Sequence, residues 1–188
     1  MKRLWDASKS NAMYEEYYYM AVGDIGVDLE EKGDLKHARS DLLRALTGFE
    51  SLYKADPSDV RVQEEIGKLE KYLGLVLAAR GQVADGKVRL RKALGTFQQL
   101  SQQDPSKGDH YLPNIADVYQ AMGRANSVAA AQTRLPHERR IALNNEACSA
   151  YQKSIAAWEQ LRGLRQLSRS ETKEMQQAGV AATKCGAH

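Results

Sequence analysis

The chain has 188 residues, 43% of them hydrophobic and 27% charged, with 14 glycines, 4 prolines and a formal net charge of +3. That balance fits one soluble globular domain and excludes a disordered or collagen-like chain; no apolar stretch is long enough to span a bilayer, and the start lacks the apolar core of a signal peptide. Basic and acidic residues are interspersed, so the small positive excess is not the footprint of a nucleic-acid binder.

Two cysteines, Cys148 and Cys185, are too few for a disulfide framework and fit a reducing compartment, which points to the cytoplasm. Ala, Leu, Gln, Glu, Lys and Arg dominate and alternating β-branched runs are missing, so the expected class is all-α.

From the N-terminus onward the chain repeats itself at a fixed offset of 48 residues. Residues 25–58 superpose on 73–106: Gly26 on Gly74, Leu29 on Leu77, Gly33 on Gly81, Leu42 on Leu90, Ala45-Leu46 on Ala93-Leu94, Phe49 on Phe97 and Leu52 on Leu100. Asp56-Pro57-Ser58 likewise falls on Asp104-Pro105-Ser106. Unit one therefore covers residues 12–57 and unit two 58–105, each expected as a helix pair. The first helices end near Glu31 and Arg80, and Gly33 and Gly81 supply the left-handed residue of each turn. In unit one Leu35, Ala38, Leu42, Ala45, Leu46, Phe49 and Leu52, three and four residues apart, make one buried stripe on the second helix. Asp-Pro then stops that helix, and Ser58 or Asp59 caps the next.

Unit three, residues 106–164, is altered. Ile115, Ala116, Tyr119 and Gly123 match Leu73, Gly74, Leu77 and Gly81, and residues 153–161 match 92–100 at a larger offset. The difference is an insertion within residues 124–146, holding Arg124, Arg134, Pro136, His137, Arg139 and Arg140, expected to form a turn and extra helix with a solvated basic face. Residues 165–188 follow as a capping helix and tail, opened by a Ser168/Glu171 capping box. Residues 1–11 carry the same register, with Leu4, Trp5, Ala7 and Ser10 at the places of Leu52, Tyr53, Ala55 and Ser58. They read as the tail of an incomplete preceding unit, whose absence leaves the outer side of the first helix uncovered. Within that helix Tyr14, Tyr18, Ala21, Ile25 and Leu29 read as a core stripe, while Tyr14, Tyr17 and Tyr19 are candidates for an interface with a partner or a second copy.

The Ile25-Gly26, Leu29, Gly33, Ala38, Leu42, Ala45 pattern, repeated as Leu73-Gly74, Leu77, Gly81, Gly86, Leu90, Ala93, resembles the tetratricopeptide repeat. The units are longer than that family's usual ones, and in this they are similar to the repeats that follow kinase domains in some bacterial serine/threonine kinases. The resemblance implies an α-solenoid of helix–turn–helix units with a capping helix, and a protein–protein interaction scaffold that binds a peptide or helix in a concave groove. By the family's groove positions the candidates are Met20, Val27, Glu30 and Glu31; Lys68, Lys71, Leu75 and Ala78; and His110, Asn114, Asp117 and Gln120. Lys71 and Asn114 stand where some members grip a terminal carboxylate, but Leu75 replaces the expected asparagine. A regulatory tail of a larger signalling protein is one expected setting; self-association through the tyrosine end is the alternative.

No catalytic constellation is expected. Gly81-Gln82-Val83-Ala84-Asp85-Gly86-Lys87-Val88 nearly spells a phosphate-binding loop, but Val88 replaces the Mg²⁺-binding hydroxyl and the context is helix–turn–helix. His137-Glu138 lacks the second histidine of a zinc protease, with Ile141 in its place. Cys185 and His188 are spaced as metal ligands but stand at a chain terminus, and Cys148 reads as a small buried thiol. The four histidines are scattered, and no nucleophile–base pair is visible. No cofactor, metal, nucleic acid, membrane or small-molecule substrate is therefore expected.

Overall fold

A computed structural model describes residues 12–132 and 135–185; Leu4, Trp5, Ala7, Ser10, Arg134 and His188 lie outside them. The described residues form seven α-helices and no strand. They are α1 (Ala12–Glu31), α2 (Leu35–Ala55), α3 (Val60–Ala79), α4 (Val83–Gln103), α5 (Gly108–Ala130), α6 (His137–Leu164) and α7 (Arg169–Cys185), with a single 3₁₀ turn at Pro105–Lys107. α1/α2, α3/α4 and α5/α6 are antiparallel pairs, each pair packs on the next, and α7 folds back along α6. None of the described helices is long and apolar enough to cross a membrane.

Local chemistry sets the turns. Gly33 and Gly81 have φ of 81° and 83°, a region a side chain rarely enters, so each pair reverses where the sequence places a glycine. Asp34 and Asp59 cap α2 and α3 by accepting from the backbone N–H of His37, and of Arg61 and Val62, which satisfies donors no helix can pair internally. Ser58 is bonded instead to the Asp56 carboxylate, which it holds below the usual carboxylate range.

The core is continuous from pair to pair. One cluster joins Val22 of α1 to Leu42, Leu46 and Phe49 of α2 and to Val62, Leu69 and Leu73 of α3. Another joins Phe97 and Leu100 of α4 to Tyr111 and Ile115 of α5 and to Trp158 and Leu161 of α6. Glu70 is buried at 3% exposure and lies in a two-pronged contact with Arg89 Nη1 at 2.8 and 3.0 Å. Burial pushes its carboxyl up, and the charges of Arg89 and Lys92 oppose that push.

Three expectations are corrected. The stripe Tyr14, Tyr18, Ala21 and Ile25 is not core: Tyr14, Tyr18 and Ile25 are 54%, 48% and 52% exposed. α1 turns Tyr19, Val22, Gly23 and Gly26 inward instead, because the two glycines let it approach α2 and α3 closely. Tyr19 thus lies over Gly48 and beside Phe49, partly buried. Gly123 does not end the first helix of unit three. α5 runs on to Ala130, and Gly123 makes room for the Tyr151 ring, 2.5 Å from the place of a Cβ. The insertion lengthens both helices of this pair, so that α5 ends at Ala130 and α6 begins at His137. Finally, Cys148 and Cys185 are not free thiols. They form a disulfide with a Cα–Cα distance of 5.6 Å, because α7 returns antiparallel along α6 and places its last residue beside the middle of that helix.

Candidate functional site

One cleft of about 530 Å³ gathers residues from four helices: Glu30 and Glu31 of α1, Lys71, Tyr72 and Leu75 of α3, Asp117, Gln120, Ala121 and Arg124 of α5, and Glu174 and Gln177 of α7. Its walls follow the repeat. Offsets of 48 and 42 residues carry Glu30 to Ala78 and then to Gln120, and Glu31 to Ala79 and then to Ala121; the second offset also carries Leu75 to Asp117. Positions of α5 equivalent to some of α1 and of α3 therefore meet at one cleft, Ala78 and Ala79 standing outside its lining, and α7 supplies the far wall.

Two ion pairs cross it. Lys71 Nζ lies 3.4 Å from Asp117 Oδ2 and 4.4 Å from the centre of the Tyr72 ring. Arg124 Nη2 lies 3.4 Å from Glu30 Oε1, which ties α5 to α1. Glu31 and Glu174 have no such cation among the described residues, so four carboxylates face two cations. The cleft is a negatively charged trough with a small apolar floor of Leu75, Ala121 and the Tyr72 ring. It is open to solvent along its length, which suits an extended or helical segment better than chemistry that must exclude water.

Of the candidates named from the sequence, Glu30, Glu31, Lys71, Leu75, Asp117 and Gln120 meet here. Six do not line the cleft. Met20 packs against the first core cluster. Lys68 pairs with Glu65 one turn away at 2.6 Å. His110 Nε2 lies 3.0 Å from Glu64 Oε1, and Asn114 donates to the His110 carbonyl. Lys71 and Asn114 are thus both engaged by partners within the protein. Val27 packs against the first cluster and Ala78 is buried in a third. Sequence reasoning missed Tyr72, which its place beside Lys71 could have signalled, and Arg124, assigned to the solvated insertion. It also missed Glu174 and Gln177, which only the return of α7 brings to the cleft.

The remaining motifs have structural roles. Gly81 is a turn and Gly86 lets α4 close on α3, while Lys87 Nζ is 2.5 Å from Glu146 Oε2. Arg140 donates to the Ala130 carbonyl, and Arg139 borders a second surface cleft between α4 and α6. Among the described residues no three His, Cys, Asp or Glu side chains are grouped to hold a metal. No family model, curated protein or solved structure matches this chain.

Proposed function

We propose that this protein is an interaction scaffold of the tetratricopeptide kind, a short α-solenoid without a reaction of its own, which holds a basic peptide or helix of a partner protein in the cleft lined by α1, α3, α5 and α7. The observation that carries the reading is the meeting of equivalent repeat positions, Glu30 with Gln120 and Leu75 with Asp117, in one cleft. The surplus of carboxylates sets the sign of the ligand, because a cationic segment would neutralise Glu31 and Glu174 and an acidic one would be repelled. The similarity of the long units to those behind bacterial kinase domains extends the proposal to a docking arm in a signalling protein. The cytoplasmic setting expected from composition sits poorly with the Cys148–Cys185 bond, since such bonds persist in oxidising compartments. The redox state of the two cysteines in cell extracts decides between the settings.

The test is titration of the whole chain into a fluorescently labelled, Lys/Arg-rich helical peptide and into its Glu-substituted counterpart. The basic peptide binds, its affinity falls with added salt, and Glu31→Lys with Glu174→Lys weakens it by about tenfold. Equal affinity for both peptides, or indifference to the two substitutions, refutes the assignment of the cleft.

A further inference from the structure

The outer side of α1 presents a row of exposed apolar residues. Tyr14, Tyr17, Tyr18 and Ile25 are 54%, 59%, 48% and 52% exposed, and Ala21 lies exposed among them. At 100° per residue these five fall within about a third of the helix circumference. The repeat shows what this side is for. The 48-residue offset carries Tyr14, Tyr18, Ala21 and Ile25 to Val62, Ile66, Leu69 and Leu73 of α3, and those four lie in the cluster shared with α1 and α2. The same side of α3 is covered; that of α1 is open.

α1 departs from the repeat at two places on this side. Asp28 stands where α3 has the fully buried Val76, and Asp24 where it has Tyr72. Both aspartates are exposed, and neither has a cation partner among the described residues. A simple continuation of the stack would bury two unpaired carboxylates, which is costly. A twofold axis at Ala21, the smallest residue of the stripe, gives them partners. In an antiparallel pairing of two α1 helices, Tyr14 meets Asp28 of the second copy, Tyr17 meets its Asp24, and Tyr18 meets its Ile25. Phenol hydroxyls then donate to carboxylates at both flanks, and apolar groups close the centre.

We propose that a second copy of this chain covers the face, with α1 against α1 about an axis at Ala21. This deepens the self-association alternative drawn from the sequence and uses none of the residues that line the cleft. Tyrosines half exposed at about 100 Å² each, with Ile25 and Ala21, offer roughly 500 Å² per protomer. The total of about 1,000 Å² falls at the lower limit of specific interfaces and describes a reversible dimer.

Sedimentation equilibrium of the whole chain, from about 1 to 500 µM, tests this. The mass rises from 20.9 kDa toward twice that value. Ala21→Glu, which sets two carboxylates at the axis, weakens the dimer at least tenfold, with helix content by circular dichroism unchanged. Tyr17→Glu weakens it as well, whereas Tyr17→Lys keeps it and makes it salt-sensitive, and adding Asp24→Lys to Tyr17→Lys abolishes it. A single 20.9 kDa species at every concentration overturns the dimer. Equal effects of Tyr17→Glu and Tyr17→Lys overturn the pairing register and with it the proposal.

Discussion

Leu42 occupies the space that a side chain on Gly26 would need: its Cγ lies 2.8 Å from the place of a Cβ, and Leu90 repeats the contact over Gly74 at 2.6 Å. Both leucines are fully buried. The distance between the two helices of a pair is thus set by one glycine and one leucine, duplicated 48 residues on.

Gly26→Ala and Gly74→Ala should each destabilise the fold by about 1–3 kcal/mol, because the overpacked leucine must move and the gain in helix propensity is only about 1 kcal/mol. Gly95 of α4 is the control. Nothing lies within 4 Å of its Cβ position, so Gly95→Ala should stabilise by about 0.5–1 kcal/mol. Urea unfolding of the three variants checks the sign of each effect. A stabilised Gly74→Ala protein would show that the contact does not set the helix spacing.

Acid should loosen α7 early. Glu171 accepts from the Ser168 backbone N–H and from both ends of the Arg165 guanidinium, at 2.9 and 2.6 Å. Arg165 in the first place, and then Ser168, hold its carboxyl down at about 2. Its folded pKa lies below the unfolded value, so the contribution is full above about pH 4.5 and is lost as pH falls toward 2. In this half-exposed setting we expect about 1–2 kcal/mol. Glu171→Gln should remove the extra loss of stability between pH 4.5 and 2 that the native chain shows relative to the variant. Parallel pH–stability curves for the two proteins would contradict the clamp.

Reduction should act on the same helix from its other end. The disulfide closes a loop with a sequence separation of 37, for which chain entropy predicts about 3–4 kcal/mol. Apart from that bond, α7 buries only Ala178 fully. A dithiol reductant or Cys148→Ser should therefore lower the unfolding midpoint and speed amide exchange in residues 175–185 before the α1–α4 region changes. Uniform acceleration throughout the chain would argue that α7 is not a separate layer.

Within the cleft the ion pairs have opposite consequences for fold and ligand. Lys71 is 12% exposed and Asp117 36%, so Lys71→Gln should cost the fold less than about 1 kcal/mol. It also leaves Asp117 uncompensated, and the basic peptide should bind about threefold tighter at low salt. Anisotropy titration checks this, and weaker binding would mean that the ligand is drawn to Lys71 and is acidic.

Helix pairs, turns and caps were legible because each depends on neighbours in sequence. Gly33 and Gly81 mark reversals, and Ser168 with Glu171 marks the start of α7. The second helices were legible in detail: Ala38, Leu42, Ala45, Leu46 and Phe49 are all buried. Rotation of α1 was not. Two apolar stripes, one through Tyr14 and Ile25 and the other through Tyr19 and Val22, compete along the same helix, and the choice is made by glycines whose role is to let another helix in. Gly123 misled for the related reason that a glycine under an aromatic ring looks in sequence like a glycine in a turn. The cleft was half legible: the groove positions implied by the resemblance include Glu30, Lys71, Asp117 and Gln120, but the wall of Glu174 and Gln177 depends on a long-range return.

Sequential packing has a consequence for how the molecule comes apart. Most contacts join helices adjacent in the chain, and among the ion pairs of the described residues Arg124–Glu30 spans the longest separation, linking positions 94 apart. Loss of structure should therefore proceed by peeling from an end rather than by collapse of a shared centre. The α1–α2 hairpin would detach as a cooperative block while α3–α6 stay folded. Protection against exchange should rise from α1 toward α4 and α5, a gradient written by connectivity rather than by the composition of any one helix.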